Sequence, residues 1–164
     1  MVYVIGAGGT SGMPLTSSGI AASGKGCTVN TMSRGPLGAE YVFAQANAAI
    51  ATYSACHVDT TGKARLIDSS NAYLPGQFAV AIVSCSTGDY AWFQTRGNTR
   101  VVCAAATNKN VRLFTSATAG TLDDATSSTQ AELLGLRLLA SNGASASDAA
   151  CFLGNVVIAA PVPS

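Results

Sequence analysis

From Glu40 onward, apolar and polar positions fall into short runs bounded by turn residues, the pattern of strands rather than of helices. Glu40 to Ala46, Tyr53 to Val58 and Lys63 to Ile67 predict three strands, with Asp59-Thr60-Thr61-Gly62 as the turn between the last two. A Pro75-Gly76 turn precedes the run from Gln77 to Ser86, which predicts a buried strand. Tyr90 to Gly97 and Thr99 to Ala105 flank Gly97-Asn98 and predict a hairpin there. Asn110 to Gly120 and Cys151 to Ala159 add two more strands. The run Ala131 to Ser141 is denser: five leucines between Leu133 and Leu139 fit no single period. Intrinsic propensity favours a helix there. Gly135 inside it and Asn142-Gly143 after it favour a strand, which is the expectation adopted. About eight short strands at roughly 8–12-residue spacing predict an all-β body, a compact barrel or sandwich.

The first 38 residues follow another pattern. They hold nine glycines, only two charges (Lys25 and Arg34), and isolated apolar pegs: Val2, Tyr3, Val4, Ile5, Met13, Leu15, Ile20, Val29 and Met32. Such a segment cannot bury enough of its own surface to offset the entropy of ordering. It is expected to be an extended Gly-rich arm over residues 1–38 that orders against another surface, ahead of a β-rich body over 39–164.

Composition sharpens this picture. Charged residues are 10% of the 164 positions, against roughly 25% in an average soluble protein. The net charge is +1, which leaves no Lys/Arg surplus to neutralise phosphates, so no nucleic-acid partner is expected. With so few charges little keeps the chain apart from its neighbours, which suits a protein packed against other chains. No run of 18 apolar residues occurs, so no spanning helix and no membrane partner are expected. The N-terminus has no basic region before its short apolar run and does not read as a signal peptide. Five widely spaced cysteines, with no C-x-x-C, predict reduced and mostly buried thiols. The expected site of synthesis is the cytoplasm.

Motifs for catalysis or cofactors are weak. Gly6, Gly8, Gly9 and Gly12 resemble a dinucleotide-binding turn, but Met13-Pro14-Leu15 follows where a helix must start to hold a pyrophosphate. His57 is the single histidine, and no G-x-S-x-G elbow occurs, so no catalytic residue is assigned. One histidine and no clustered ligands predict no metal. Asp123-Asp124 point apart in an extended chain and are read as a solvated turn. No cofactor is expected. Tyr90, Trp92 and Gln94 share one side of a strand, and Ala91, Phe93 and Thr95 the other. The Trp92 side is either core or, if exposed, an oligomer or partner patch.

Three stretches resemble small structural proteins of tailed bacteriophages. They are the opening Glu40 to Ala51 after a glycine arm, the Y-x-W-F-Q-x-x-G strand from Tyr90 to Gly97, and the S-A-T-A-G turn from Ser116 to Gly120. The similarity spans roughly residues 37–125; the leucines from Leu133 to Leu139 depart from the Val- and Gly-rich strand expected there. Proteins of this kind act as capsid cement or decoration proteins. The resemblance implies a non-enzymatic β-rich protein on the outer capsid surface of the virion, commonly a homotrimer, whose partner is the major capsid protein. An arm suits that role by pairing with a sheet edge while its pegs fill pockets. Val2, Tyr3, Val4, Ile5, Met13, Leu15, Ile20, Met32 and Arg34 are then the expected capsid contacts. Two alternatives remain: another virion part such as a tail-tube, fibre or spike subunit, or a carbohydrate- or receptor-binding module with Trp92, Tyr90 or Tyr73 as a stacking platform.

Overall fold

The computed structural model describes residues 3–4, 28–72, 74–125 and 129–159, which contain no α-helix. The all-β expectation holds. Two short strands form one edge: β1 (Tyr3–Val4) runs parallel to β2 (Met32–Arg34), and β2 pairs antiparallel with β3 (Glu40–Ala46). From β3 the sheet continues through β4 (Ala55–Asp59), β5 (Lys63–Leu66), β6 (Gly76–Ala81) and β7 (Tyr90–Cys103). The order β3–β5–β4–β6–β7 returns to β3, so these five strands close into a barrel.

A ring of five strands is too narrow for many large side chains. Ala44, Ala46, Ala64, Ala79, Ala81 and Ala91 accordingly line the interior, with Phe93 and Ile50 as large fillers. Alternation along β3 and β7 sends Val42 and Ala91 inward and Phe43 and Trp92 outward.

A second circuit shares β7. It consists of β8 (Phe114–Thr115), β9 (Leu122–Asp123), β10 (Glu132–Leu138) and β11 (Ser147–Ala159). From Gly97 to Cys103, β7 pairs with β11; β11 pairs with β10, β10 touches β8, and β8–β9 leads back to Cys103. Leu113, Leu122, Leu133, Leu136, Leu138 and Leu153 fill this second core. Ala55, Phe78 and Val80, on the outer faces of β4 and β6, join them. Residues 55–58 of β4 and residues 78–81 of β6 are therefore buried on both faces, and the β6 stretch reads as a continuous apolar run rather than an alternation.

Several expected elements differ. The hairpin at Gly97-Asn98 does not form: Tyr90–Cys103 is one strand of 14 residues. Its halves bond to different partners, β3 and β6 before the kink and β11 after it, so no reversal is needed. Gly97 has φ +95°, and a Cβ there would lie 3.0 Å from Ala39 Cα. Gln94 is 4% exposed, and its amide donates to the carbonyls of Arg96 and Asn98, 2.9 Å each, clamping the bend.

The strand over Asn110 to Gly120 shrinks to Phe114–Thr115, because the Ser116 hydroxyl accepts the Thr118 N–H and turns the chain toward β9. The Gln77 to Ser86 strand ends at Ala81, with one further bridge from Cys85 to Ile50. Tyr53 has φ +64°, which excludes it from β4. The last strand starts at Ser147 rather than Cys151. The leucine run is strand β10, with a bulge between Leu134 and Leu136. Pairing with β11 overrides its helical propensity.

The expected boundary at residue 38 also moves. Residues 28–38 belong to the body, because Asn30 N–H donates to Phe43 O at 2.7 Å and Phe43 N–H donates to Thr31 O at 2.9 Å, ahead of the β2–β3 pairing.

Gly97→Ala is expected to destabilise the protein by about 1–3 kcal/mol, from left-handed backbone strain and the clash with Ala39. Thermal unfolding should register this as a fall of about 2–4 °C per kcal/mol for a chain of this size. An unchanged Tm would show that the kink does not depend on glycine.

Candidate interaction surface

Three surface regions combine chemistry with access. The first is an aromatic cluster on the barrel's outer wall. Phe43 faces Trp92 across the β3–β7 ladder, with ring centroids 5.1 Å apart and tilted by 55°. Tyr90 stacks on the same Phe43 at 5.9 Å and 20°. Phe43 is fully buried, while Tyr90 and Trp92 are half-buried. Trp92 is thus neither pure core nor a free platform: one face is spent on Phe43. Gln94 lies on the same side of β7, as strand parity predicted. It is buried and clamps the Gly97 kink, so it drops out of the expected patch.

The second region is the β2–β3 turn. Gly35 N–H donates to Ala39 O and Ala39 N–H to Pro36 O, closing a tight loop whose tip is Leu37. Leu37 is 97% exposed and has φ +57°. A left-handed backbone costs a residue with a Cβ about 1–2 kcal/mol. Below the tip, Arg34 Nε lies 3.5 Å and Arg96 Nη1 3.9 Å from the same oxygen, Glu40 Oε1. These three side chains border a cavity of about 440 Å³ together with Leu37, Gly97 and Phe152.

The third region is the outer face of the β10–β11 ribbon. Leu134 and Val157 are direct cross-strand partners, yet 47% and 57% exposed. Phe152, opposite Arg137, is 43% exposed and reaches the turn cavity.

Of the expected arm contacts, Val2, Ile5, Met13, Leu15 and Ile20 lie outside the described residues, as does Tyr73 of the alternative stacking platform. Tyr3 and Val4 form β1 against β2. Met32 is half-exposed in β2, and Arg34 is exposed and paired with Glu40. Sequence reasoning missed Leu37, Arg96, Phe152, Leu134 and Val157. Only Leu37 carried a local signal, since Gly35, Pro36 and Gly38 around it mark a turn. The others required knowing which face of a strand each core covers.

The titratable groups are mostly structural. Cys56, Cys85, Cys103 and Cys151 are free and buried. Burial pushes the thiols up, to about 11 at Cys85 and about 12 at Cys103 and Cys151. They stay protonated at neutral pH and are poor nucleophiles. Asp124 is held low, first by the Asn108 N–H at 3.0 Å and also by the Asn108 side-chain amide. Asp123 and Asp124 thus cap turns. Among the described residues no group of three or more metal-ligating side chains occurs.

His57 lies between Arg65 and Phe78 on neighbouring strands and is 1% exposed. A Cβ on Gly76 would lie 2.4 Å from its Nε2. Neither ring nitrogen has a hydrogen-bond partner of ordinary geometry. Burial lowers its pKa below the ordinary 6.5; the Leu74 backbone and Asp59 pull upward and Arg65 downward.

No protein-family model matches this chain, and no curated protein matches it.

His57 dictates a pH dependence. Its folded pKa lies below its unfolded value, so its contribution to stability is complete above about pH 6.5 and is lost as the pH falls below that. Chemical unfolding between pH 7 and pH 5 should show wild-type stability falling. His57→Leu should be nearly flat over the same window. Parallel curves for the two proteins would contradict this assignment.

Proposed function

We propose that this chain is a non-enzymatic virion structural protein, a capsid cement or decoration protein that binds the outer capsid surface and bridges major capsid protein subunits. One observation carries the reading: a nearly charge-free N-terminal segment precedes a body that leaves Leu37, Leu134, Val157 and Phe152 open to solvent. Exposed apolar side chains on a protein with 10% charged residues suit permanent contact with other chains. The β1–β2 pairing is in keeping with an N-terminal segment that adds to sheet edges through backbone hydrogen bonds.

Mechanically, a cement protein adds buried area where shell subunits meet. Each arm contact is costly to order. Repetition around the shell supplies avidity, and a homotrimeric body would present three arms together. A mostly neutral surface docks without stranding buried charges.

Co-sedimentation with purified capsids tests this, using the full chain and a variant lacking residues 1–27, which keeps β2. The full chain should pellet with capsids and raise their resistance to heat, and the shortened chain should bind at least tenfold more weakly. Rings or fibres formed by the protein alone, with no capsid binding, would overturn the reading in favour of a tail component. Glycan binding by the isolated protein that is abolished by Trp92→Ala would overturn it in favour of a carbohydrate-binding module.

A further inference from the structure

The cavity at the β2–β3 turn carries a specific chemistry. Its charged walls are Arg34, Arg96 and Glu40, two cations against one anion. Both guanidinium groups approach the same carboxylate oxygen, at 3.5 and 3.9 Å. These separations exceed those of a bidentate fork, so Glu40 does not consume the donors of either arginine. Arg34 and Arg96 are 76% and 48% exposed, whereas Glu40 is 26% exposed, which places the cations outermost.

The remaining walls are the side chains of Leu37 and Phe152 and the backbone of Gly35, Gly38 and Gly97. Leu37 overhangs the cavity almost wholly exposed, in a backbone conformation that residues other than glycine seldom adopt. Phe152 borders the cavity too, and Gly97 contributes no side chain. A strained, exposed leucine beside a half-exposed phenylalanine and two under-used guanidinium groups is poor design for an isolated surface. It is good design for receiving a ligand with matching parts.

We propose that this cavity is a docking site for an extended protein segment that places a carboxylate beside an aliphatic side chain. The carboxylate bridges Arg34 and Arg96, and the aliphatic group covers Leu37 and Phe152. The chain's own N-terminal segment does not fit, because no Asp or Glu precedes Glu40 and its charged side chains are Lys25 and Arg34. The N-terminal segment is thereby excluded, and the proposed occupant is a segment of another protein. Its identity as a capsid subunit rests on the cement reading, whereas the chemistry of the site does not.

Two experiments separate these levels. In the first, the full ¹⁵N-labelled chain is titrated with a blocked Leu-Glu-Leu peptide and with its Gln and Lys counterparts, followed by backbone amide shifts. The Glu peptide should shift Gly35, Gly38, Arg96, Gly97 and Phe152, with at least tenfold weaker binding for the Gln peptide and none for the Lys peptide. The double variant Arg34→Gln/Arg96→Gln should weaken binding tenfold or more. Leu37→Gly is the diagnostic second variant: it relieves the left-handed strain, so Tm should stay level or rise while peptide binding falls. Equal binding of Glu and Lys peptides, shifts elsewhere, or unchanged binding by both variants would overturn the proposal.

In the second, the same variants are tested for capsid co-sedimentation. Loss of capsid pelleting by the double variant supports the capsid subunit as donor. Normal pelleting overturns that identity and leaves the cement reading standing. Peptide binding by wild type without any capsid binding removes the cement reading and leaves the site.

Discussion

Strand β7 belongs to both cores, and the rest of the fold depends on how it bends at Gly97. Before the kink it closes the small barrel against β3 and β6; after it, β7 carries the β10–β11 ribbon. The bend needs a residue tolerant of positive φ and free of a Cβ, because Ala39 of the β2–β3 turn lies directly against it. It also needs the carbonyls on either side satisfied, which the Gln94 amide does. One glycine and one buried amide thus set the relative placement of two hydrophobic cores. They also bring Arg96, Phe152 and the β2–β3 turn to the same cavity.

The narrow barrel has a further consequence. Its alanine-rich interior takes up little of the chain's larger apolar surface. Larger side chains must pack outside it, and the second circuit receives most of them. Strands β4 and β6 become a shared wall, and an outer ribbon is left to face solvent on one side. Leu134, Val157 and Phe152 remain on that side. Few charges offset them, which gives an exterior more suited to contact with other chains than to isolation.

Neutral, hydrogen-bonded and buried groups dominate the chemistry. The four described thiols are buried, Asp124 caps a turn, and His57 is sealed without a hydrogen-bond partner of ordinary geometry. Arg34 and Arg96 share the single carboxylate of Glu40, beside the most exposed leucine among the described residues. The proposed stabilising role on a shell would draw on three features: an N-terminal segment whose β1 pairs with β2, apolar side chains left exposed, and a turn that offers cations.

The sequence by itself determined the all-β class, the position of most strands, the parity of β7 and the burial of the four described cysteines. Each rests on local alternation, turn residues or residue-type burial, which neighbouring positions encode. It also placed Tyr90 and Trp92 on one face correctly. It misread Gly97-Asn98 as a hairpin, because a glycine that bends a strand and one that reverses it look alike locally. It set the body's start too late, since β2 is recognisable only from its partner β3. It said nothing of Phe152, Leu134 or Arg96 as surface features. Only the tertiary structure decided those, because exposure on a strand depends on which of its two faces a distant element covers. The same holds for the cavity: Arg34, Arg96 and Phe152 are far apart along the chain, and only closure of the barrel and pairing of β7 with β11 bring them together.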